Sequence, residues 1–330
     1  MKAGFTVWLD RPIPECAEIA VAAEDAGFSD VWLPDHYFLR DAFAAQALMA
    51  ERTSRVRLGT AVVSPLLRHP TLLASSAATI QELSGGRAVL GIGPGGFEFP
   101  TQLGLDPDRP IQMIREAVHV VRAMVRGQRA ELRGRHFTAL GTALPWRVPD
   151  VPVFLAARGP RMLELGGEVA DGVITHGLAR TYIDRSLELV RRGEDRAGRP
   201  RGACELVLMF EIEVDDDVEA AIDRLRPRCT VMAGGAYAEE FIPLFGLDPR
   251  DVLPLRAAVR ARDPDAVRLV TDDIVRAFAV AGPPGEVAER LAQMAEAGVG
   301  RVILTTGGGP VREVVARVER IGKAVAAVVG

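Results

Sequence analysis

Short β-branched apolar runs alternate along this chain with longer stretches in which apolar residues recur three and four positions apart, the period of one helix face. The exchange repeats eight times. Residues 2–9 read as a strand and 12–26 as a helix, with Ile19, Ala22, Ala23 and Ala26 spaced for one face and Gly27 where a helix stop belongs. Further strands are predicted at 30–33, 56–63, 88–92, 151–156, 172–175, 205–214 and 301–304. Helices are predicted at 41–53, 71–83, 111–125, 160–170, 182–192, 218–225, 284–297 and 311–328. Two stretches stand outside the alternation. Residues 127–150 lack a helical period and predict an excursion with a small hairpin near Gly134. Residues 230–283 are too long for a plain connection, and helical pieces such as 264–280 predict an insertion packed over one end.

Eight strands, each followed by a helix, with no second composition regime, predict a (β/α)8 TIM barrel with insertions, residues 1–330 forming a single domain. A doubly wound open sheet is the alternative. It would place a Gly-rich dinucleotide fingerprint after the first strand, where Asp10, Arg11 and Pro12 stand instead. In a barrel the chemistry belongs at the C-terminal ends of the strands, which selects the positions worth reading.

Charge and composition narrow the partners. The 40 Lys and Arg against 44 Asp and Glu leave a net charge of -4 without a basic cluster, so no nucleic acid is expected. No apolar run is long enough to span a bilayer, and a cytoplasmic protein is expected. Cys16, Cys204 and Cys229 are widely spaced and unpaired in pattern, which predicts neither disulfide nor metal site. Several strand ends are rich in Gly and other small residues. Exposed backbone N–H groups at a helix start, without side-chain bulk, suit a flat ring with a phosphorylated tail.

Three stretches carry a sharper likeness. VWLPDHYF holds Asp35 and His36; LGTAVVSPLLRHPTLLA runs from Leu58 to Ala74 and on into LSGGRAVLGIGPGG; PVFLAARGPRMLELGGEVADGVI spans Pro152 to Ile174. In this order and spacing the chain resembles the bacterial luciferase-like monooxygenase superfamily over essentially its whole length. Within it, the chain is most similar to the coenzyme F420-dependent branch typified by methylenetetrahydromethanopterin reductase.

The resemblance implies a deazaflavin across the barrel mouth and hydride transfer to or from a small organic substrate. It implies a non-proline cis peptide between Ala61 and Val62 behind the ring, with Asp35 on the ring's polar edge and Ser64 as a contacting hydroxyl. Gly93, Pro94 and Gly95 would meet the ring or its ribityl chain. Ala156, Ala157, Arg158, Gly159 and Pro160 would meet the phosphate through backbone amides at a helix start, where Arg158 could add charge. Each has a plainer reading as well: barrel core for 61–63, a tight turn for 93–95, a turn residue for Ser64. Arg68 and His69 are assigned to the helix start. A homodimer is expected by resemblance only.

The reaction is less legible. Related reductases carry acids where Thr6 and Gly96 stand, and the sugar-phosphate dehydrogenases of the branch have Glu at the Gly96 position, so no proton donor is inherited. His36, Glu98, His176 and Glu211 are the candidates left at the mouth. Two rivals stay open: an FMN-dependent monooxygenase fed by a partner reductase, and a barrel that binds flavin or deazaflavin without turnover. An aldolase-type barrel would want a strand lysine, and only Lys2 lies on a strand.

Overall fold

Eight parallel strands close on themselves in the computed structural model, which describes residues 1–36, 38–95, 103–105, 108–234, 238–326 and 328. The chain runs β1 (Lys2–Thr6), α1 (Ile13–Asp25), β2 (Asp30–Leu33), α2 (Ala42–Arg52), β3 (Arg57–Thr60), α3 (Pro70–Leu83), β4 (Ala88–Ile92) and α4 (Pro110–Val125). A hairpin of β5 (Ala130–Arg133) and β6 (Thr138–Thr142) follows. Then come β7 (Val153–Ala156), α5 (Pro160–Val169), β8 (Gly172–Thr175), α6 (Arg180–Arg196) and β9 (Glu205–Val214). The rest is α7 (Val218–Gly234), α8 (Ala238–Phe245), α9 (Pro249–Arg260), α10 (Asp272–Phe278), β10 (Ala279–Gly282), α11 (Pro284–Glu296), β11 (Arg301–Thr305) and α12 (Val311–Val325). The ring is β1-β2-β3-β4-β7-β8-β9-β11, with β11 pairing back onto β1.

The predicted barrel, the eight strands and the hairpin around Gly134 are all present. Two elements differ from expectation. Residues 279–280, read as the end of a helix, belong to β10. The long β9 is paired by β8 only through Leu208, so the same edge beyond it is free for β10, which pairs with 211–214. The helix predicted to start at 218–225 runs on as α7 to Gly234, straight through Pro227. Proline removes one ladder bond, and tertiary packing of Leu225, Cys229 and Ala233 in the core of the insertion holds the helix regardless.

Strand residues alternate between two cores. Outward residues such as Phe5, Val31, Leu208 and Leu304 pack under the helices. Inward residues Trp32, Val89, Phe154, Ile174, Val207 and Ile303 fill the barrel. Trp32 is fully buried, and its indole lies where a Cβ on Gly4 would stand 2.6 Å from Nε1. Gly59 leaves the same ring room on the other neighbouring strand. Below this layer, at the strand N-termini, Arg301 pairs with buried Asp30 and reaches Glu205 at 3.3 Å. The bottom of the barrel is thus matched charge and its middle is solid, which leaves the C-terminal mouth for chemistry. Among the described residues no helix is long and apolar enough to cross a membrane.

Gly4→Ala is expected to lower stability by about 1–3 kcal/mol through overpacking against Trp32, measured by urea unfolding. The double variant with Trp32→Phe should lose less than the two single losses added; strict additivity would mean that the two sites do not touch.

Candidate active site

The alternation that buries Trp32 also decides what faces the mouth. Continuing upward on the inner face brings Thr6 and Trp8 from β1, Ala61 after β3, Gly93 after β4, Ala156 from β7, His176 after β8, Glu211 and Glu213 from β9, and Thr305 from β11. Register puts Glu211 level with Thr305, whose hydroxyl donates to Thr6 Oγ1 at 2.9 Å. These residues divide into two unlike halves.

The half built by β3, β4, β7 and β8 carries backbone and small side chains. The Ala61–Val62 peptide is cis, as expected at this position. Val62 lies against Gly93, where an added Cβ would come within 2.5 Å of Val62 Cγ2 and 3.1 Å of Ala156 Cβ. Gly91 N–H donates to the Thr60 hydroxyl, which itself donates to Gly91 O, both at 2.9 Å. This hydroxyl carries β3 and β4 past the bend, and sequence reading did not single it out. Val63 N–H donates to Gly91 O and Gly93 N–H to Val63 O, so the ladder resumes at once. Pro94 and Gly95 follow, with Gly95 in the left-handed region at φ 89.

At the edge of this half, α5 begins at Gly159 with Pro160 in its first turn and no side-chain cap. Among the described residues, neither a side-chain cap nor an acid in the first turn occupies this positive end of its dipole. Ala157 departs from the expected phosphate contacts: its N–H donates to Ile174 O at 2.9 Å and is spent on the barrel ladder. Arg158 extends sideways, with Nη2 donating to Met232 O at 3.1 Å. Ser64 is buried, and its Oγ accepts from Leu66 N–H, the geometry of a turn residue. His69 caps α3, accepting from Thr71 N–H, but Arg68 does more than start a helix. Its guanidinium binds both Asp35 and the α2 cap Asp41. Burial pushes the Asp35 carboxyl up, and Arg68 pulls it back.

The other half, from β9, β11 and β1, is polar. Trp8 Nε1 and Glu211 Oε2 are buried atoms without a hydrogen-bond partner among the described residues. Arg228, from α7, stands over the Trp8 ring at 5.1 Å, with Nε 3.7 Å from Glu211 Oε2 and Nη2 donating to Thr306 O at 3.1 Å. His36 meets the same indole, ring centroids 5.5 Å apart, and burial holds its imidazole below the ordinary range. Burial pushes the Glu211 carboxyl up to about 7, against Arg228 and helped by Glu213. His176 behaves differently: Nδ1 donates to Met209 O at 2.8 Å, and burial, then Arg158, lowers it to about 4. With Nδ1–H spent on the carbonyl, a neutral ring presents Nε2 as an acceptor. Glu98 lies outside the described residues, as does Gly96.

The insertion roofs this mouth. Arg228 and Met232 are one turn apart on α7 and touch opposite halves, through Thr306 and Arg158. Thr181 donates to Leu244 O, Leu178 N–H to Ala277 O, and Phe245 stacks on Tyr182 with centroids 5.1 Å apart. Phe245 is thus directed at the barrel.

Residues 5–301 match the family described as luciferase-like monooxygenase. The chain belongs to that family. It is 30% identical to the 5,10-methylenetetrahydromethanopterin reductase of Archaeoglobus fulgidus over 94% of this chain and 95% of the relative. It is 31% identical to the F420-dependent glucose-6-phosphate dehydrogenase of Kineococcus radiotolerans, over 68% of this chain and 72% of that one. Among solved structures, the coenzyme F420-dependent tetrahydromethanopterin reductase of Methanopyrus kandleri superposes with TM-score 0.90 at 25% identity, covering 99% of this chain and 98% of that one. Sequence reading placed Trp8 at a strand end without giving it a role, and singled out neither Arg228 nor Glu213. None of the three sits in a motif, and the ring order β1-β11-β9 under α7 brings them together.

Glu211 sets a pH dependence of stability. Its folded value near 7 lies above the ordinary 4.5, so the folded state holds the proton more tightly. That contribution is whole below the unfolded value and is lost as pH rises through the folded one. Glu211→Gln, neutral throughout, is therefore expected to gain on the parent protein with rising pH, reaching at most about 3 kcal/mol above neutrality. Urea unfolding across pH reads it, and a pH-independent difference would show that the Glu211 carboxyl titrates alike in the folded and unfolded protein.

Proposed function

We propose that this chain is a coenzyme F420-dependent oxidoreductase that transfers a hydride between the deazaflavin and a small organic substrate at the barrel mouth, residues 1–330 working as one domain. The observation that carries this reading is the half of the mouth walled mainly by backbone and small side chains. A flat ring needs a wall without bulk and a phosphate needs uncapped amides, and Ala61–Val62, Gly93, Ala156 and the start of α5 offer both in sequence around the rim. The F420 dependence in the names of relatives matching this chain supports the deazaflavin over FMN. When bound, the deazaflavin supplies two-electron hydride chemistry.

The protein's part is then positional. Ala61 and Val62 would back the ring, with Gly93, Pro94 and Gly95 beside it and Ser64 holding the turn. Asp35, fixed by Arg68, would face the ring's polar edge. Gly159 and Pro160 would present the α5 terminus to the phosphate, with Ala156 and Ala157 allowing close approach and Arg158 adding charge. His176 would accept a hydroxyl hydrogen bond at Nε2. His36 and Glu211 remain as groups able to manage a proton. The α7 roof would exclude water from the two reacting carbons.

The test is titration of the purified protein with oxidised F420 and, separately, FMN, followed by cofactor fluorescence. Tighter F420 binding is expected; a clear FMN preference would move the reading to the monooxygenase. Gly159→Val is expected to weaken F420 binding about tenfold or more by covering the amides. The backbone there, at φ -84, is extended and open to any residue, and unfolding of the apo protein is the control that separates lost binding from lost fold. Unaltered affinity would remove the phosphate from this helix.

A further inference from the structure

Glu211 and Glu213 are neighbours on the inner face of β9 with different partners. Glu213 accepts from the Thr306 hydroxyl at 3.0 Å and has Arg224 at 3.7 Å. Glu211 is 7% exposed, has Arg228 at 3.7 Å, and keeps Oε2 without a hydrogen bond among the described residues. Trp8 Nε1 is the other such atom in this half, and the same guanidinium covers both side chains. Glu211 also shares its level with Thr305, whose hydroxyl donates to Thr6.

We propose that Glu211 and the Trp8 indole N–H form the subsite that binds and protonates the substrate's oxygen, with Arg228 as the positioning residue that holds both. The proposal rests on the hydride-transfer reading and adds a substrate class. Two donors held under one guanidinium suit an acceptor with two lone pairs, which a carbonyl oxygen has and an imine nitrogen lacks. The substrate is therefore an aldehyde or ketone in the reductive direction and the corresponding alcohol in reverse. In reduction the C=O π bond breaks. Carbon gains the hydride, the reduced deazaflavin being oxidised by two electrons, while oxygen gains the Glu211 proton. The carboxylate left behind faces Arg228 and is reprotonated from solvent. In reverse, the carboxylate takes the hydroxyl proton.

The groups that face Glu211 are Glu213 on β9, Arg228 and Cys229 on α7, and, across the Trp8 ring, His36. Difference infrared spectroscopy of the apo protein, parent minus Glu211→Gln, is expected to show a carboxyl band titrating at about 7. Arg228→Met should move that midpoint upward and Arg228→Lys should restore it. A carboxylate ionised across the whole range, or a midpoint indifferent to Arg228, overturns the positioning. With reduced F420 as hydride source and a panel of small aldehydes and ketones as probes, Glu211→Gln should lose kcat by about 100-fold and its pH limb near neutrality. F420 affinity should hold within about threefold, since the acid lies in the half opposite the proposed cofactor wall. Trp8→Phe should raise KM more than it lowers kcat. If the limb survives in Glu211→Gln and vanishes in His36→Ala, the proton belongs to His36 and the proposal falls. It falls equally if F420 binds and no carbonyl compound is reduced. If F420 does not bind, the functional reading fails instead, and the infrared titration still judges the Glu211–Arg228 pairing.

Discussion

The indole of Trp32 fills the barrel. It can do so only because Gly4 and Gly59 on the flanking strands have no Cβ, so one large side chain and two absent ones together make the interior solid. A filled interior has a functional consequence. No ligand can enter between the strands, and everything reactive is pushed to the layers above. The buried Asp30–Arg301 pair closes the opposite end with matched charges, a floor that serves stability.

Above that plug the ring of strands is asymmetric. On one side bulk is withheld: a cis peptide, glycines and alanines, and a helix start without a cap. On the other side polar side chains crowd around one arginine. The same β-strand periodicity generates both, since each inner position two residues higher on a strand belongs to the next layer. A flat cofactor and a small polar substrate need such a division, because the two must meet face to face while each is held by a different kind of contact.

The polar half shows how environment separates chemically identical groups. Glu211 and Glu213 differ by two residues, yet hydroxyl and arginine partners satisfy one and burial without a hydrogen bond raises the other. His176 and His36 diverge in the same way, one locked as a neutral donor to a carbonyl, the other resting on an indole. The roof matters to both halves, since α7 touches each within one turn and ties the insertion to the chemistry rather than to an outer face.

Much of this was legible before any coordinates. The eight strands, the glycine-rich strand ends and the bend at Ala61–Val62 are local or carried by motifs, and periodicity alone exposes the alternation of strand and helix. What failed was non-local. β10 exists because β9 outlasts β8 and leaves an unpaired edge, and α7 ignores Pro227 because the insertion's own core holds it. The Ala157 amide is spent on Ile174, and Arg68 answers to Asp35, because of neighbours far away in the chain. The sequence by itself determined the barrel and the face on which chemistry must lie, since both follow from the period of apolar residues. Only the tertiary structure decided which acid stands buried beside Trp8 and Arg228. That depends on ring closure bringing the first strand beside the last, one strand away from β9, and on α7, the helix that leads into the insertion, reaching across the gap.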